Sequence, residues 1–248
     1  MLRFSFVSLL AACAVWAGSL RAEPVEVDLM LVLAADNSGS VGAKLRERQR
    51  QGFVGAFRDP DLQKAVASGP LGRVAVIYFD WVGAEEQSVV VPWTVIGSAA
   101  DMEAFAVALE RAPAPRGGGE TSISGAMGFA GALMETGRFE AFRKVLDLSG
   151  NGRNSEGPPV AGALRRLREA GVVVNGLVLP GAELGGSAPY GMSVSRQDGP
   201  LRPYFEAEVI GGPGAFAVVV DLERGFGEAI LRKLVLEVAW AGSTADRY

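Results

Sequence analysis

Asp36-Asn37-Ser38-Gly39-Ser40 sets a carboxylate and two hydroxyls at alternate positions near the start of the chain. Residues of these types turn chains, because their short polar side chains bond local backbone and tolerate unusual dihedrals. Three oxygens at that spacing can also hold a cation. Two later polar segments carry compatible groups: the run from Gly117 to Ser124 ("GGGETSIS") and the run from Asp147 to Gly152 ("DLSGNG"). Ser38, Ser40 and Thr121 offer neutral hydroxyls, Asp36 a carboxylate and Asn151 an amide oxygen. A few carboxylates and neutral oxygens, with water completing the coordination, suit Mg2+, with Mn2+ or Ca2+ as alternatives.

Composition narrows the chemistry further. The chain has no histidine and a single cysteine, Cys13. Ser-His-Asp and Cys-His catalysis and imidazole zinc sites therefore have no residues to build on. Any metal must be a hard cation held by oxygen. No serine stands in a G-x-S-x-G elbow. The stretch Gly39–Lys44 follows a strand but lacks the G-x-x-x-x-G-K-[ST] spacing of a phosphate loop, so nucleotide is not expected. Glu85-Glu86 reads as a solvated hairpin tip. A magnesium-dependent hydrolase using metal-bound water is the enzymatic alternative, disfavoured because no base stands beside the site.

The formal charge is −4, with 24 basic and 28 acidic residues, which is not the basic footprint of a nucleic-acid binder. Residues 1–22 have a short basic start, an apolar run and a small residue before Glu23-Pro24, the layout of a signal peptide cleaved after Ala22. An uncleaved anchor and lipidation at Cys13 are the alternatives. Residues 23–248 then form one domain, periplasmic or secreted, with no cysteine, held by its core rather than by disulfides.

The oxygens need elements to aim them. Val27–Ala35 is continuously apolar and fits a central strand covered on both faces. Further strands are expected at 73–79, 87–94 (an edge, given Pro92), 142–148, 172–179 and 215–220. Helices are expected at 44–57, 99–111, 122–136, 160–170 and 222–238. Ser40 could cap the first of these, and Asp147 is read as a strand-end carboxylate bonded to backbone or Lys144. Tyr78, Trp81 and Trp93 are expected in the core or at a strand edge. Pro180 to Pro203 has no periodicity and reads as a long loop. Strands alternating with helices give an α/β three-layer sandwich, a mostly parallel central sheet with helices on both faces. In such a sheet, ligands bind beyond the carboxyl ends of the strands, where the three polar segments emerge.

With "DNSGS", a downstream loop threonine and a third polar loop, residues 25–238 resemble the von Willebrand factor A domain family and its metal-ion-dependent adhesion site. Asp36, Ser38 and Ser40 meet its D-x-S-x-S spacing, and Thr121 matches its threonine. More narrowly, "VVVPWTVI", "TSIS", "GPP" and "VIGGPGAF" resemble an uncharacterised bacterial secreted branch. The resemblance implies a binding module. In it, two serines and a threonine hold magnesium directly, and an acidic side chain of a protein partner takes the open position. Neutral hydroxyls leave such a cation electron-poor, which strengthens the incoming carboxylate contact. Where the family has aspartate before glycine in the third loop, this chain has Asn151, in a pair chemically prone to lose its amide. Asp147, four residues earlier and about 13 Å back along a strand, is too far to substitute. Weaker metal binding, or metal-independent binding of a partner, is the consequence expected.

Overall fold

Val25–Asp36 forms β1, buried from Val27 to its end, as a strand covered on both faces requires. The computed structural model describes residues 23–180, 201–221 and 225–239. Residues 1–22, expected to be a signal peptide, and most of the expected loop between 180 and 203 lie outside them.

Among the described residues six strands form one sheet in the order β3-β2-β1-β4-β5-β6: β2 is Val74–Trp81, β3 Gln87–Ile96, β4 Phe139–Gly150, β5 Val172–Val178 and β6 Ala217–Val219. All neighbours are parallel except β2 and β3, so the strand containing Pro92 is the antiparallel edge. Among the described residues seven helices cover the faces: α1 Ala43–Phe57, α2 Pro60–Ala67, α3 Ala99–Arg111, α4 Ile123–Thr136, α5 Val160–Glu169, α6 Leu201–Tyr204 and α7 Phe226–Val238. Leu29, Leu31 and Leu33 point into one core with α1, α3 and α7; Met30, Val32 and Ala34 point into the other with α4 and α5. This is the three-layer α/β sandwich expected from the sequence.

The differences are local and have physical causes. Asp59 caps α2 by accepting from Asp61 N–H, with Pro60 at the first helical position, so the Asp-Pro pair starts a helix. β4 runs three residues earlier and two later than its apolar stretch, because pairing with β1 continues through Phe139 and Glu140. Leu201–Val209, partly read as loop, is helical and finishes in a π-turn that buries Phe205. Gly42, not Ser40, precedes α1, and Ser40 caps nothing. Asp147 pairs with Lys233 of α7 at 2.7 Å rather than with Lys144. Trp81 and Tyr78 are fully buried.

Candidate functional site

The order of the strands creates the site. The chain builds outward from β1 to β2 and β3, then returns to lay β4 on the other side of β1. At that reversal the loops after β1 and β4 diverge over opposite faces and leave a crevice at the carboxyl edge. Asp36 is the last residue of β1, and Asn151 is the first residue past β4.

Asp36 is fully buried, and its two carboxylate oxygens are divided between the loops. Oδ1 accepts Ser38 N–H at 2.8 Å and Oδ2 accepts Asn151 N–H at 3.2 Å. Burial pushes its pKa up from 3.8 to about 6, against the opposing pull of the Ser38 and Asn151 hydrogen bonds and the Arg46 charge. Ser38 Oγ lies 3.3 Å from Ser40 Oγ, and Ser40 Oγ donates to Asn151 Oδ1 at 2.6 Å. Thr121 Oγ1 faces the same point: a Cβ built on Gly152 would sit 3.4 Å from it and 3.9 Å from Ser40 Oγ. A glycine there keeps the cradle between the hydroxyls open. The structure thus brings together all five residues singled out from the sequence, and it leaves Asp147 inside β4, paired with Lys233 of α7.

Other residues, not anticipated, hold the loops. Ser149 Oγ accepts Asp36 N–H at 3.0 Å and donates to the Ala34 carbonyl at 3.1 Å, fastening the ends of β1 and β4. The glycine run lies along the first loop: Ser38 bridges to Gly118, and Gly39 N–H donates to the Gly119 carbonyl at 3.2 Å. Gly119 has φ +65°, a left-handed conformation that glycine adopts without strain. The Thr121 carbonyl accepts Ser155 N–H at 2.8 Å and Glu156 N–H at 3.2 Å, joining the second and third loops. Ser155 returns the contact, accepting Thr121 N–H and donating to Glu120. Nearby, the buried guanidinium of Arg50 pairs with Asp80 at the end of β2 at 2.7 Å. Runs of Ser, Gly and Asn in the sequence were the only signal for this scaffold, and they do not say which loop meets which.

The donor set fits a small hard cation: three hydroxyls, one carboxylate and one amide oxygen around a cradle that glycine leaves open. Among the described residues no three acidic, cysteine or histidine side chains cluster, so the set is poor in charge. A separate cavity of about 1050 Å³ lies at the opposite, amino-terminal edge of the sheet, lined by Arg143, Arg168, Asn175, Phe216 and Glu237 among others. It shares no residue with the loop edge.

The fold is that of a von Willebrand factor A-type domain. The chain belongs to the family described as "Protein of unknown function (DUF1194)", whose model matches residues 26–242. Among solved structures it is similar to proximal thread matrix protein 1 from the mussel byssus, with TM-score 0.54, 16% identity, and 88% of this chain and 48% of that chain covered. One structure of that mussel protein is described as having a zinc-occupied MIDAS motif. It is also similar to the SpRpn10 VWA domain, with TM-score 0.52, 13% identity, and 88% and 100% covered. A third likeness is to the pilus adhesin SpaC from Lactobacillus rhamnosus GG, with TM-score 0.54, 15% identity, and 88% and 30% covered. The chain therefore spans about half the length of the mussel protein and less of the adhesin. No curated protein matches it in sequence.

Proposed function

We propose that the protein is a binding module of the periplasm or cell exterior that uses a divalent cation at the β1–β4 crevice to engage an acidic group of a protein partner. The observation that carries this reading is the convergence of Ser38, Ser40 and Thr121 hydroxyls on one cradle beside Asp36 and Asn151. Ser38, Ser40 and Thr121 would hold the ion, Asp36 would balance part of its charge, and the Asn151 amide oxygen would accept a hydrogen bond from its water. Bound there, the cation supplies a positive point at which a partner carboxylate can dock. The zinc-occupied motif described for the mussel protein supports a metal in this fold at a site of this kind.

A binding role suits the site better than catalysis. Both Asp36 oxygens are committed to backbone N–H groups, so this carboxylate is not free to act as a base. The apolar leader at residues 1–22 supports export. Among the described residues no helix is long and apolar enough to cross a membrane.

One observation favours a second reading, metal-independent binding of a partner by the same loops. Ser40 already donates to Asn151, so the crevice closes on itself without a cation. Calorimetry with Mg2+ and Mn2+ separates the two. The metal reading expects heat of binding for the wild type and none for Ser38→Ala. No heat in either would leave the metal-independent reading.

A further inference from the structure

We propose that Asn151-Gly152 is a self-modifying site, at which loss of the Asn151 amide turns the neutral corner of the crevice into a carboxylate and converts weak cation binding into tight binding. This rests on the metal-site reading and deepens it.

The structure places the pair where the reaction is open and its product has a use. Asn151 is only 9% exposed, and its Nδ2 is buried without an acceptor among the described residues. A buried amide hydrogen left unpaired is costly, and a carboxylate oxygen would remove that donor. The other half of the amide already accepts from Ser40. The attacking atom is the Gly152 backbone nitrogen, which lies beyond the end of β4 and donates to no acceptor among the described residues. Gly152 is partly exposed and has no side chain to hinder ring closure.

The chemistry needs only water. Gly152 N loses its proton and bonds to Asn151 Cγ, the Cγ–Nδ2 bond breaks, and ammonia leaves with the amide nitrogen. Water then opens the cyclic imide. The net change consumes one water and releases one ammonia, with no oxidation or reduction. Opening on one side gives aspartate, whose carboxylate takes the place of the amide. Opening on the other gives isoaspartate, which lengthens the main chain by one carbon and draws the carboxylate away from the cradle.

The chain carries an internal control. Asn175-Gly176 is the same dipeptide, but it lies inside β5 and is fully engaged. Asn175 Nδ2 donates to Glu237 at 3.0 Å, its Oδ1 accepts Phe216 N–H at 3.1 Å, and Gly176 N–H donates to the Phe216 carbonyl at 3.0 Å. Ring closure there would break three hydrogen bonds and a strand. Sequence alone does not distinguish the two pairs; their backbone partners do.

The test is peptide mapping of the purified chain, fresh and after days at neutral pH, with Mg2+ calorimetry on fresh protein, aged protein, Asn151→Asp and Gly152→Ala. Acid accumulates at position 151 and not at 175, and Gly152→Ala keeps its amide. Aged protein and Asn151→Asp bind Mg2+ at least about tenfold more tightly than fresh protein, as an added ligand charge requires. An amide at 151 that survives conditions converting the same peptide once excised overturns the proposal. So does conversion without a gain in affinity. Tight Mg2+ binding by fresh, fully amidated protein overturns it while leaving the metal site standing. If even Asn151→Asp binds no divalent cation, both readings fall.

Discussion

Asp36 carries the one carboxylate among the five candidate ligands, and its burial sets a pH dependence that can be measured. Its folded pKa is about 6, against 3.8 for the ordinary group. Below about pH 4 the folded and unfolded chains both hold this proton, and between about pH 4 and pH 6 only the folded chain keeps it. Stability contributed here is therefore lost as pH rises through that window, by up to about 3 kcal/mol, and is level above it. Urea denaturation across pH should show this slope in the wild type and a flatter one in Asp36→Asn; parallel curves would reject it. Cation affinity should run the other way, rising until Asp36 is ionised, as Mg2+ calorimetry between about pH 5 and pH 7 would show. At this scale, the oxygens that converge were legible because D-x-S-x-S and Asn151 follow apolar strands and Thr121 stands at the start of a helix. Ser149 was not, since a serine ending an apolar strand looks the same whether or not it ties two strands together. Asp147 was misassigned because Lys144 is near in sequence while Lys233, its partner, comes from a helix 86 residues later.

Among the elements, the loops fit because glycine lets their backbones touch. A Cβ on Gly39 would lie 2.9 Å from the Gly119 carbonyl, closer than real contacts allow, and neither backbone can yield alone. Gly39→Ala should separate the first two loops, lower stability by about 1–3 kcal/mol and weaken cation binding with it. Denaturant unfolding and calorimetry on the same variant check both parts; an unchanged affinity would show that the loops adjust independently. The helices and strands themselves were readable from periodicity wherever an apolar stripe or run was continuous. Boundaries slipped where pairing, not hydrophobicity, extends a strand, as in β4. The turn of α6 and its π-continuation carries no readable stripe because Leu201–Val209 places Pro203, Glu206 and Glu208 among its apolar residues, of which Tyr204, Phe205 and Val209 reach the core.

Across the whole molecule, the sheet carries a second polar arrangement far from the crevice. Lys233 is buried between Asp147 and Glu237, and Asn175 donates to Glu237. Burial, followed by the Asp147 charge, raises the Glu237 pKa, and Lys233 opposes it. Removing the cation alone leaves buried acid uncompensated, so Lys233→Met should cost about 3–5 kcal/mol in urea unfolding. Adding Asp147→Leu and Glu237→Leu to it should recover most of the loss. A single variant as stable as the wild type would mean that water reaches the cluster. The strand order has a different consequence, for the order of events in folding. Asp36 and Asn151 are 115 residues apart and meet only when β4 docks on β1. Two strands and four helices lie between β1 and β4 in the chain, so the pairing closes a long loop whose entropy must be repaid before any oxygen reaches its neighbour. The crevice therefore exists only where the two halves of the sheet have joined. The Asn151 amide proton, held by Asp36, should exchange with solvent only in openings that separate β1 from β4, which makes one N–H a reporter for the integrity of the whole sheet.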